Sequence, residues 1–225
     1  QLLKKISGLN IDIIFDAGAN TGEWAKTAKK YFPDSKLHSF EILPVHWNEF
    51  KKNTTNIKNI FLKKFGLSDS DNVLEIYYNS REKSDSMASA YPQFLMKSER
   101  NYYNSKMTCV VKKGETYLLE NKIEKIDILK IDVEGHELKV IKGFGNFIRN
   151  IRLIQFEYGV YNITSKDLLC DFFSYLESYN FMIGSLYPRC VDFFDYEYTK
   201  ENFLGGNFIA INNGDEELKA LLTRF

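Results

Sequence analysis

The feature that most constrains the fold is an alternation of short apolar runs with segments of helical periodicity. Buried strands are predicted at 11–15, 36–40, 60–65, 73–78, 108–111, 126–131, 151–156, 181–186 and 208–211, and helices at 23–31, 45–53, 115–121, 135–148, 168–179 and the last ten residues. Strands that alternate with helices imply βαβ units. We therefore expect an α/β fold with a mostly parallel sheet covered by helices on both faces.

Composition limits the class of protein. The chain has 225 residues, of which 44% are hydrophobic and 27% charged, with a formal net charge of +0. These values indicate a globular protein, and a single domain spanning 1–225 is expected. Without net charge, no overall field attracts nucleic acid, so no nucleic-acid partner is expected. The chain begins with Gln1 rather than Met, as an excised domain or a truncated sequence would.

Apolar runs long enough to span a membrane and a secretory signal are both missing from the sequence, which predicts a cytoplasmic address and no membrane span. The three cysteines are far apart and have no metal-ligand spacing, so reduced thiols are expected. Nothing in the sequence determines the oligomeric state.

The segment 80–106 has no clean period and is rich in Ser, Asn and Tyr. Loops of this length inside compact domains are often functional. We predict a lid or substrate loop here, with Ser86 and Ser89 as candidate polar contacts and with Tyr91 among its candidate aromatic contacts.

Polar residues follow the predicted strands. Asp16, Glu41, Ser68 with Asp69, Asp132 with Glu134, and Glu157 each come directly after an apolar run. In parallel α/β sheets, ligands bind outside the carboxyl ends of the strands. The sequence therefore predicts that these side chains share one edge of the sheet.

The first of these positions lies in the stretch 16–22, DAGANTG, which follows a strand and opens a helix. Gly18 and Gly22 allow a tight turn and a close approach to a ligand, and the helix start offers unpaired N–H groups. Glu41, at the end of the next strand, is placed where nucleotide-binding sheets present an acid to ribose hydroxyls.

The charges in this turn distinguish two cofactors. A pyrophosphate-binding turn reads G-x-G-x-x-G, whereas here Asp16 ends the strand and Asn20 stands where a second close glycine is expected. An acid at this point repels phosphate and suits an amine-bearing ligand. S-adenosylmethionine, which has a sulfonium and an amino group and no phosphate, fits these charges.

Five stretches in the same order along the chain resemble FkbM-type S-adenosylmethionine-dependent methyltransferases. They are FDAGANTGEW (15–24), SFE (39–41), FGLSDSD (65–71), DILKIDVEGHELKVIKGF (127–144) and IRLIQFEYG (151–159). The resemblance implies a Rossmann-like class I methyltransferase fold with a mostly parallel seven-stranded sheet. It also implies methyl transfer to a hydroxyl oxygen of a small molecule, such as a sugar, a glycan or a secondary metabolite.

The same resemblance implies the cofactor contacts. The first block lines the methionine part, the strand-end acid holds the ribose, and the third block faces the adenine. The residues implied in cofactor binding are Asp16, Gly18, Asn20, Thr21, Gly22, Glu41, Ile42, Leu67, Ser68, Asp69 and Asp132.

The catalytic candidates lie around the stretch KIDVEGHE. Strand alternation places Lys130 and Asp132 on one side, so Asp132 and Glu134 flank the expected position of the methyl group. A carboxylate there can take the proton of an acceptor hydroxyl, or bind Mg²⁺ or Mn²⁺ that lowers the pKa of the hydroxyl. Glu157 would complete such a metal site, and His136 is a further candidate base. Alternatively, Glu134 and Glu137 only charge the first turn of the following helix.

Two other functions share parts of this pattern. An NAD(P)-dependent oxidoreductase would have a similar sheet and the acid Glu41, but it would need the phosphate turn that is missing here. A non-catalytic domain could keep the fold without turnover. The intact Asp16, Gly18, Glu41 and Asp132 argue against that second alternative.

Overall fold

The computed structural model describes residues 1–82, 85–92 and 102–223. The strands are β1 (Ile13–Ala17), β2 (Lys36–Phe40), β3 (Ile60–Lys63), β4 (Gly66–Ser68), β5 (Asn72–Tyr78), β6 (Ser105–Lys113), β7 (Ile126–Ile131), β8 (Ile151–Glu157), β9 (Phe181–Leu186), β10 (Val191–Phe193) and β11 (Asn207–Asn212). The helices are α1 (Leu2–Lys5), α2 (Glu23–Tyr31), α3 (Pro44–Thr54), α4 (Gly114–Asn121), α5 (Glu137–Lys142), α6 (Tyr161–Ser165), α7 (Leu169–Glu177) and α8 (Glu216–Thr223), with 3₁₀ turns at Gly145–Asn150 and Tyr198–Lys200.

Within the described residues, the main sheet has eight strands in the order β10-β9-β11-β8-β7-β1-β2-β3. The five strands from β8 to β3 are parallel, whereas β11 is antiparallel to both of its neighbours. The predicted α/β fold with a mostly parallel sheet is confirmed. The expected count of seven strands is corrected to eight, because β10 pairs antiparallel with β9 and is too short to produce an apolar run.

Helices cover both faces of this sheet. Ile14 of β1 belongs to the hydrophobic cluster that contains α1, α2, α3 and α8, whereas its neighbour Phe15 belongs to the cluster with α4, α5 and α7. All six residues of β7 are buried. Burial on both faces explains why the central strands are continuous apolar runs.

A second, three-stranded sheet in the order β4-β6-β5 was only partly predicted. Its strand β6 is parallel to β4 and antiparallel to β5. Ile76 and Cys109 of this sheet pack against Leu43, which follows β2. The small sheet therefore forms a wall beside the carboxyl end of β2.

The helix predicted over 135–148 is corrected to the shorter α5, followed by a 3₁₀ turn. Gly145 has φ +52°, in the left-handed region that ends α-helices. A Cβ on Gly143 would lie 1.9 Å from the carbonyl oxygen of Ser68 in β4. The helix thus ends where its backbone packs directly on the small sheet.

None of the described helices has the length and apolar character needed to cross a membrane. The three cysteines are free thiols, and two of them are buried.

Candidate active site

The turn after β1 is held between the ends of two neighbouring strands. The N–H groups of Gly18 and Ala19 both donate to the carbonyl of Phe40, at 3.0 Å. Gly18 has φ +80°, and a Cβ there would lie only 1.8 Å from the backbone oxygen of Asp132. Only glycine fits this position, because the turn lies against the end of β7.

Glu41 is buried directly after β2, with 4% of its surface exposed. One carboxylate oxygen accepts the N–H of Asn20 and the other accepts the N–H of Leu43, each at 2.7 Å. His46 Nδ1 lies 3.1 Å from Oε1. These contacts hold the carboxylate in one orientation and leave Oε2, which accepts one N–H, a lone pair for a ligand.

Lys130 is a buried cation beneath the turn. Its Nζ lies 3.2 Å from Asp16 Oδ1 and 3.4 Å from Asp132 Oδ2, and it donates to the carbonyl of Gly18 at 3.0 Å. Burial acts against the charge on Lys130, but Asp16 and Asp132 outweigh it and raise its pKa. Lys130 therefore stays charged and ties the ends of β1 and β7 together.

Three carboxyl groups meet at the ends of β7 and β8. Oxygens of Asp132, Glu134 and Glu157 all lie within 4.8 Å of one another, so the structure brings together the three predicted metal ligands. Burial, followed by the charges of Glu157 and Asp132, raises the pKa of Glu134 to about 9. Burial and the neighbouring Asp132 raise the pKa of Glu157 to about 7.

Glu137, rather than Glu134, lies in the first turn of α5. Its carboxylate accepts the N–H groups of Val133 and Gly135, each at 3.0 Å. Glu134 lies before α5 and has φ +54°, an uncommon backbone conformation for a residue with a side chain. The structure therefore does not support the alternative that Glu134 only charges the helix start.

His136 is buried and engaged at both ring nitrogens. Nε2 lies 2.9 Å from the Ser68 hydroxyl, and Nδ1 lies 3.2 Å from the Tyr91 hydroxyl. Burial, assisted by Lys139, lowers the pKa of His136 to about 4. A neutral, engaged imidazole with so low a pKa is a weak base near neutral pH, so Glu157 is the stronger candidate.

Three pockets meet at Glu134. We call them the Glu41, Trp24 and Tyr161 pockets, with about 660, 670 and 710 Å³ of empty space respectively. The residues that line the Glu41 pocket include Gly18, Asn20, Glu41, Ile42, Leu67, Leu74, Ile76, Val111, Asp132, Glu134 and His136. Those defining the Trp24 pocket are Gly18, Asn20, Thr21, Trp24, Ser86, Lys130, Asp132 and Glu134. Those defining the Tyr161 pocket are Glu134, Glu137, Glu157, Tyr161, Asn162, Phe203 and Leu204.

Four residues expected to bind cofactor do not line the Glu41 or Trp24 pocket. Asp16 lies inside β1 and is fully buried, since that strand continues to Ala17. At Gly22, a Cβ would meet the Phe50 ring at 2.9 Å, so this glycine serves helix packing.

The other two are Ser68 and Asp69, in the region expected to face adenine. Ser68 is buried against His136, and Asp69 lies 3.4 Å from the ammonium of Lys139. The small sheet directs both side chains toward α5, and Leu67 alone of the three lines the Glu41 pocket.

The cover segment, residues 85–92, lies over the Glu41 pocket. Asp85, Ser86, Ala88 and Ala90 line this pocket, and Ser86 also lines the Trp24 pocket. Ser89 donates its hydroxyl to the backbone oxygen of Glu134 at 2.5 Å. Of the predicted 80–106 loop, residues 83–84 and 93–101 lie outside the described residues, and β6 begins within it at Ser105.

Sequence reasoning assigned no role to Lys130 or Trp24, and it did not single out the apolar wall of Leu74, Ile76 and Val111. The sequence pattern KID could have indicated a role for Lys130, because Lys130 shares a strand face with Asp132. No sequence pattern indicates the wall residues, because they line the pocket only after the small sheet has formed.

Residues 16–183 match the family described as "Methyltransferase FkbM domain". The chain belongs to this FkbM family. The FkbM chain is 28% identical to "Methyltransferase sdnD" of Sordaria araneosa, over 58% of this chain and 59% of that protein. It is 24% identical to "Hexuronic acid methyltransferase AglP" of Haloferax volcanii, over 64% of this chain and 54% of that protein. The matches thus span little more than half the length of these relatives.

Solved structures have the same fold at low sequence identity. The methyltransferase FkbM of Methylobacillus flagellatus KT aligns with a TM-score of 0.55 and 14% identity, over 91% of this FkbM chain and 45% of that one. Fibrillarin of Aeropyrum pernix, in complex with natively bound S-adenosyl-L-methionine, aligns with a TM-score of 0.50 and 12% identity, over 93% and 73%. The class I methyltransferase fold implied by the sequence is confirmed.

Proposed function

We propose that the chain transfers a methyl group from S-adenosylmethionine to a hydroxyl oxygen of a sugar, a glycan or a secondary metabolite. The observation that carries the proposal is the oriented, buried Glu41 carboxylate in a pocket that reaches the Asp132, Glu134 and Glu157 cluster. Family membership supports the methyl transfer. The hexuronic acid named for the Haloferax volcanii relative supports a saccharide acceptor.

The adenosyl part of the cofactor is assigned to the Glu41 pocket. Oε2 of Glu41 accepts the N–H of Asn20 and can accept a ribose hydroxyl as well. Leu67, Ile76 and Val111 line the same pocket with apolar surface suited to the adenine ring. A buried acid beside an apolar wall matches a ribose joined to a base.

The methionine part is assigned to the Trp24 pocket, which shares Gly18, Asn20 and Asp132 with the Glu41 pocket. Asp132, whose side chain is 44% exposed, suits the amino group. Lys130 lines this pocket and suits the carboxylate. In this arrangement the sulfonium methyl group points toward Glu134, where the three pockets meet.

The acid cluster is assigned the activation of the acceptor hydroxyl. The transfer is an in-line displacement, so the acceptor oxygen must be held about 3–3.5 Å from the methyl carbon and lose its proton as it attacks. Glu157 has a pKa of about 7, the range in which a general base works best at neutral pH. Asp132 and Glu134 would orient the hydroxyl.

The same three carboxyl groups form a set of hard oxygen ligands that a divalent cation could occupy. A bound Mg²⁺ or Mn²⁺ would lower the pKa of the hydroxyl directly. The two versions of the mechanism predict different effects of a chelator.

A chelator distinguishes the mechanism with a general base from the mechanism with a bound metal ion. If Glu157 is the base, EDTA should leave turnover unchanged, and Glu157→Gln should lower the rate by about 10²–10⁴. If a cation is required, EDTA should abolish turnover while S-adenosylhomocysteine still binds, and Mg²⁺ or Mn²⁺ should restore it. Full activity of Glu157→Gln and Glu134→Gln in EDTA would contradict both versions.

The cofactor assignment is tested by calorimetry. S-adenosylhomocysteine should bind and NAD should not. Glu41→Ala removes charge-assisted hydrogen bonds worth about 1.5–3 kcal/mol each, so affinity should fall about tenfold or more. Glu49→Ala, at an exposed position on α3, is the matched control and should bind like the parent. An unchanged dissociation constant in a folded Glu41→Ala protein would refute the ribose assignment.

A further inference from the structure

The Tyr161 pocket lies on the far side of Glu134 from the proposed adenosyl site. Its charged lining residues in the described part of the chain are the acids Glu134, Glu137 and Glu157. The carboxylate of Glu137 is occupied by backbone N–H groups of the turn before α5. Tyr161 and Phe203 add aromatic surface to the same pocket.

We propose that the Tyr161 pocket is the acceptor subsite, and that it takes an uncharged, hydroxyl-bearing ring and rejects a carboxylate. This inference rests on the proposed function, because it needs the methyl group to point toward Glu134. It goes further in assigning a pocket and a charge to the acceptor, and in the charge it departs from the hexuronic acid named for the Haloferax volcanii relative.

Hydrogen-bonding capacity is the first argument. Asn162 is 2% exposed and lines the pocket. Its Oδ1 accepts the N–H of Gly159 at 2.9 Å, whereas its Nδ2 has no hydrogen-bond partner among the described residues. A hydroxyl can accept from such a donor and donate to Glu157. A carboxylate can only accept, and would leave Glu157, the proposed base, without a donor.

Charge is the second argument. Glu134 and Glu157 lie within 4.8 Å of Asp132. Lys130 contacts Asp16 and Asp132 and lines the Trp24 pocket rather than the Tyr161 pocket. A carboxylate ligand would add a further negative charge beside Asp132 and Glu157, with no cation in the described lining of the pocket. Like charges brought together without a partner strongly disfavour binding.

The loop before β11, which lines the mouth of the Tyr161 pocket, provides the third argument. A Cβ on Gly159 would lie 2.9 Å from the Cα of Gly205, so the loop before β11 packs closely on the end of β8. In this loop Phe203 has φ +52°, and Leu204 is 87% exposed. Strained residues and exposed apolar side chains at a pocket mouth are typical of binding sites. An apolar wall facing acids suits a ring that has an apolar face and hydroxyl edges.

The test uses a matched pair of probes, methyl β-D-glucopyranoside and methyl β-D-glucuronopyranoside. Binding is followed by saturation-transfer NMR with the protein saturated with S-adenosylhomocysteine, in buffer containing EDTA. The glucoside should bind at least about tenfold more tightly than the glucuronide, the factor that corresponds to 1.4 kcal/mol. Equal binding of both probes, or no binding of the glucoside, would overturn the proposal.

Variants of residues that line the pocket test the charge argument and the aromatic contact separately. Leu204→Arg places a cation beside the acids at an exposed position and should increase glucuronide binding, whereas the uncharged Leu204→Gln should not. Tyr161→Ala should weaken glucoside binding, and Tyr198→Ala, at an 82% exposed position outside the pocket lining, should not. Failure of Leu204→Arg to improve glucuronide binding would contradict the charge argument.

Failure of this inference can be told apart from failure of the proposed function. S-adenosylhomocysteine binding is measured first. If it is absent, the proposed function fails and the acceptor subsite fails with it. If it is present and the two glycosides bind equally, only the acceptor inference is wrong.

Discussion

Glu134 illustrates at the scale of one residue how burying an acid in the candidate site lowers stability. Its raised pKa, about 9 against an ordinary value of 4.5, means that the folded chain binds the proton at this position more tightly than the unfolded chain does. As the pH rises above 4.5, the unfolded chain releases this proton first, so unfolding becomes progressively easier until the folded pKa is passed.

This linkage predicts a stabilising substitution. Between pH 5 and pH 8 the contribution of Glu134 to the free energy of unfolding should decrease. Glu134→Gln should abolish this decrease. At pH 8 we expect a Tm about 2–4 °C above that of the parent, as for a gain of about 1 kcal/mol in a chain of this size. Thermal unfolding at the two pH values measures the effect.

Glu49→Gln is the control for this prediction, because Glu49 is half-exposed and pairs with Lys52 at the surface. It should have nearly the same Tm as the parent at both pH values. If the Tm of Glu134→Gln changes with pH in the same way as the Tm of the parent, the acid cluster does not hold Glu134 protonated.

At the scale of elements, the contact of α5 with β4 depends on one glycine. A Cβ on Gly143 would lie 1.9 Å from the carbonyl oxygen of Ser68, and a backbone atom cannot move away cheaply. Gly143→Ala should therefore lower the free energy of unfolding by about 1–3 kcal/mol, as overpacking does. Denaturant titration measures this, with Gly8→Ala as control because a Cβ there meets nothing within 4 Å. Equal midpoints would contradict the predicted clash.

The cover segment, residues 85–92, should respond to the cofactor. Ser86, Ala88 and Ala90 line the Glu41 pocket, so a bound ligand would pack against them. We expect the amides of Met87 and Tyr91, which donate to side chains within the segment, to exchange more slowly when S-adenosylhomocysteine is added. Hydrogen exchange measures this, and amides of α8 serve as the unaffected reference. Identical exchange in both states would make the segment a fixed wall rather than a lid.

For the whole molecule, the Glu41 pocket joins two sheets. Glu41 and Asp132 lie at the carboxyl ends of strands of the main sheet, whereas Leu67, Ile76 and Val111 belong to the small sheet. A ligand that contacts both should stabilise the chain as a unit. At 100 times its dissociation constant, S-adenosylhomocysteine should add about 2.7 kcal/mol and raise Tm by about 5–10 °C.

Differential scanning calorimetry tests this prediction, with NAD at the same concentration as the comparison. The ligand should shift a single transition, and NAD should leave it unchanged. Two separate transitions, of which only one moves, would show that the small sheet unfolds independently. A shift with NAD as large as with S-adenosylhomocysteine would favour the oxidoreductase alternative.

Local patterns determined much of this protein. Four elements, α2, β2, β7 and β9, were predicted at their observed bounds, because each is a run of strongly periodic or apolar residues with a break at both ends. The positions of Glu41, Asp132 and Glu157 at one edge follow from parallel strands, which bring their carboxyl ends together. The neighbouring placement of Lys130 and Asp132 follows from strand alternation.

Contacts between distant segments decided the rest. Strand β4 is only three residues long and exists because it pairs with β6, far along the chain. That pairing turns Ser68 toward His136 and ends α5 at Gly143.

The pKa values of Glu134 and Glu157 likewise depend on burial and on each other's charge, which no local pattern contains. Sequence therefore determined which groups reach the edge of the sheet. Only the tertiary structure decided which of them face the pockets and in which protonation state, because burial and electrostatic interaction depend on distances between residues that are remote in sequence.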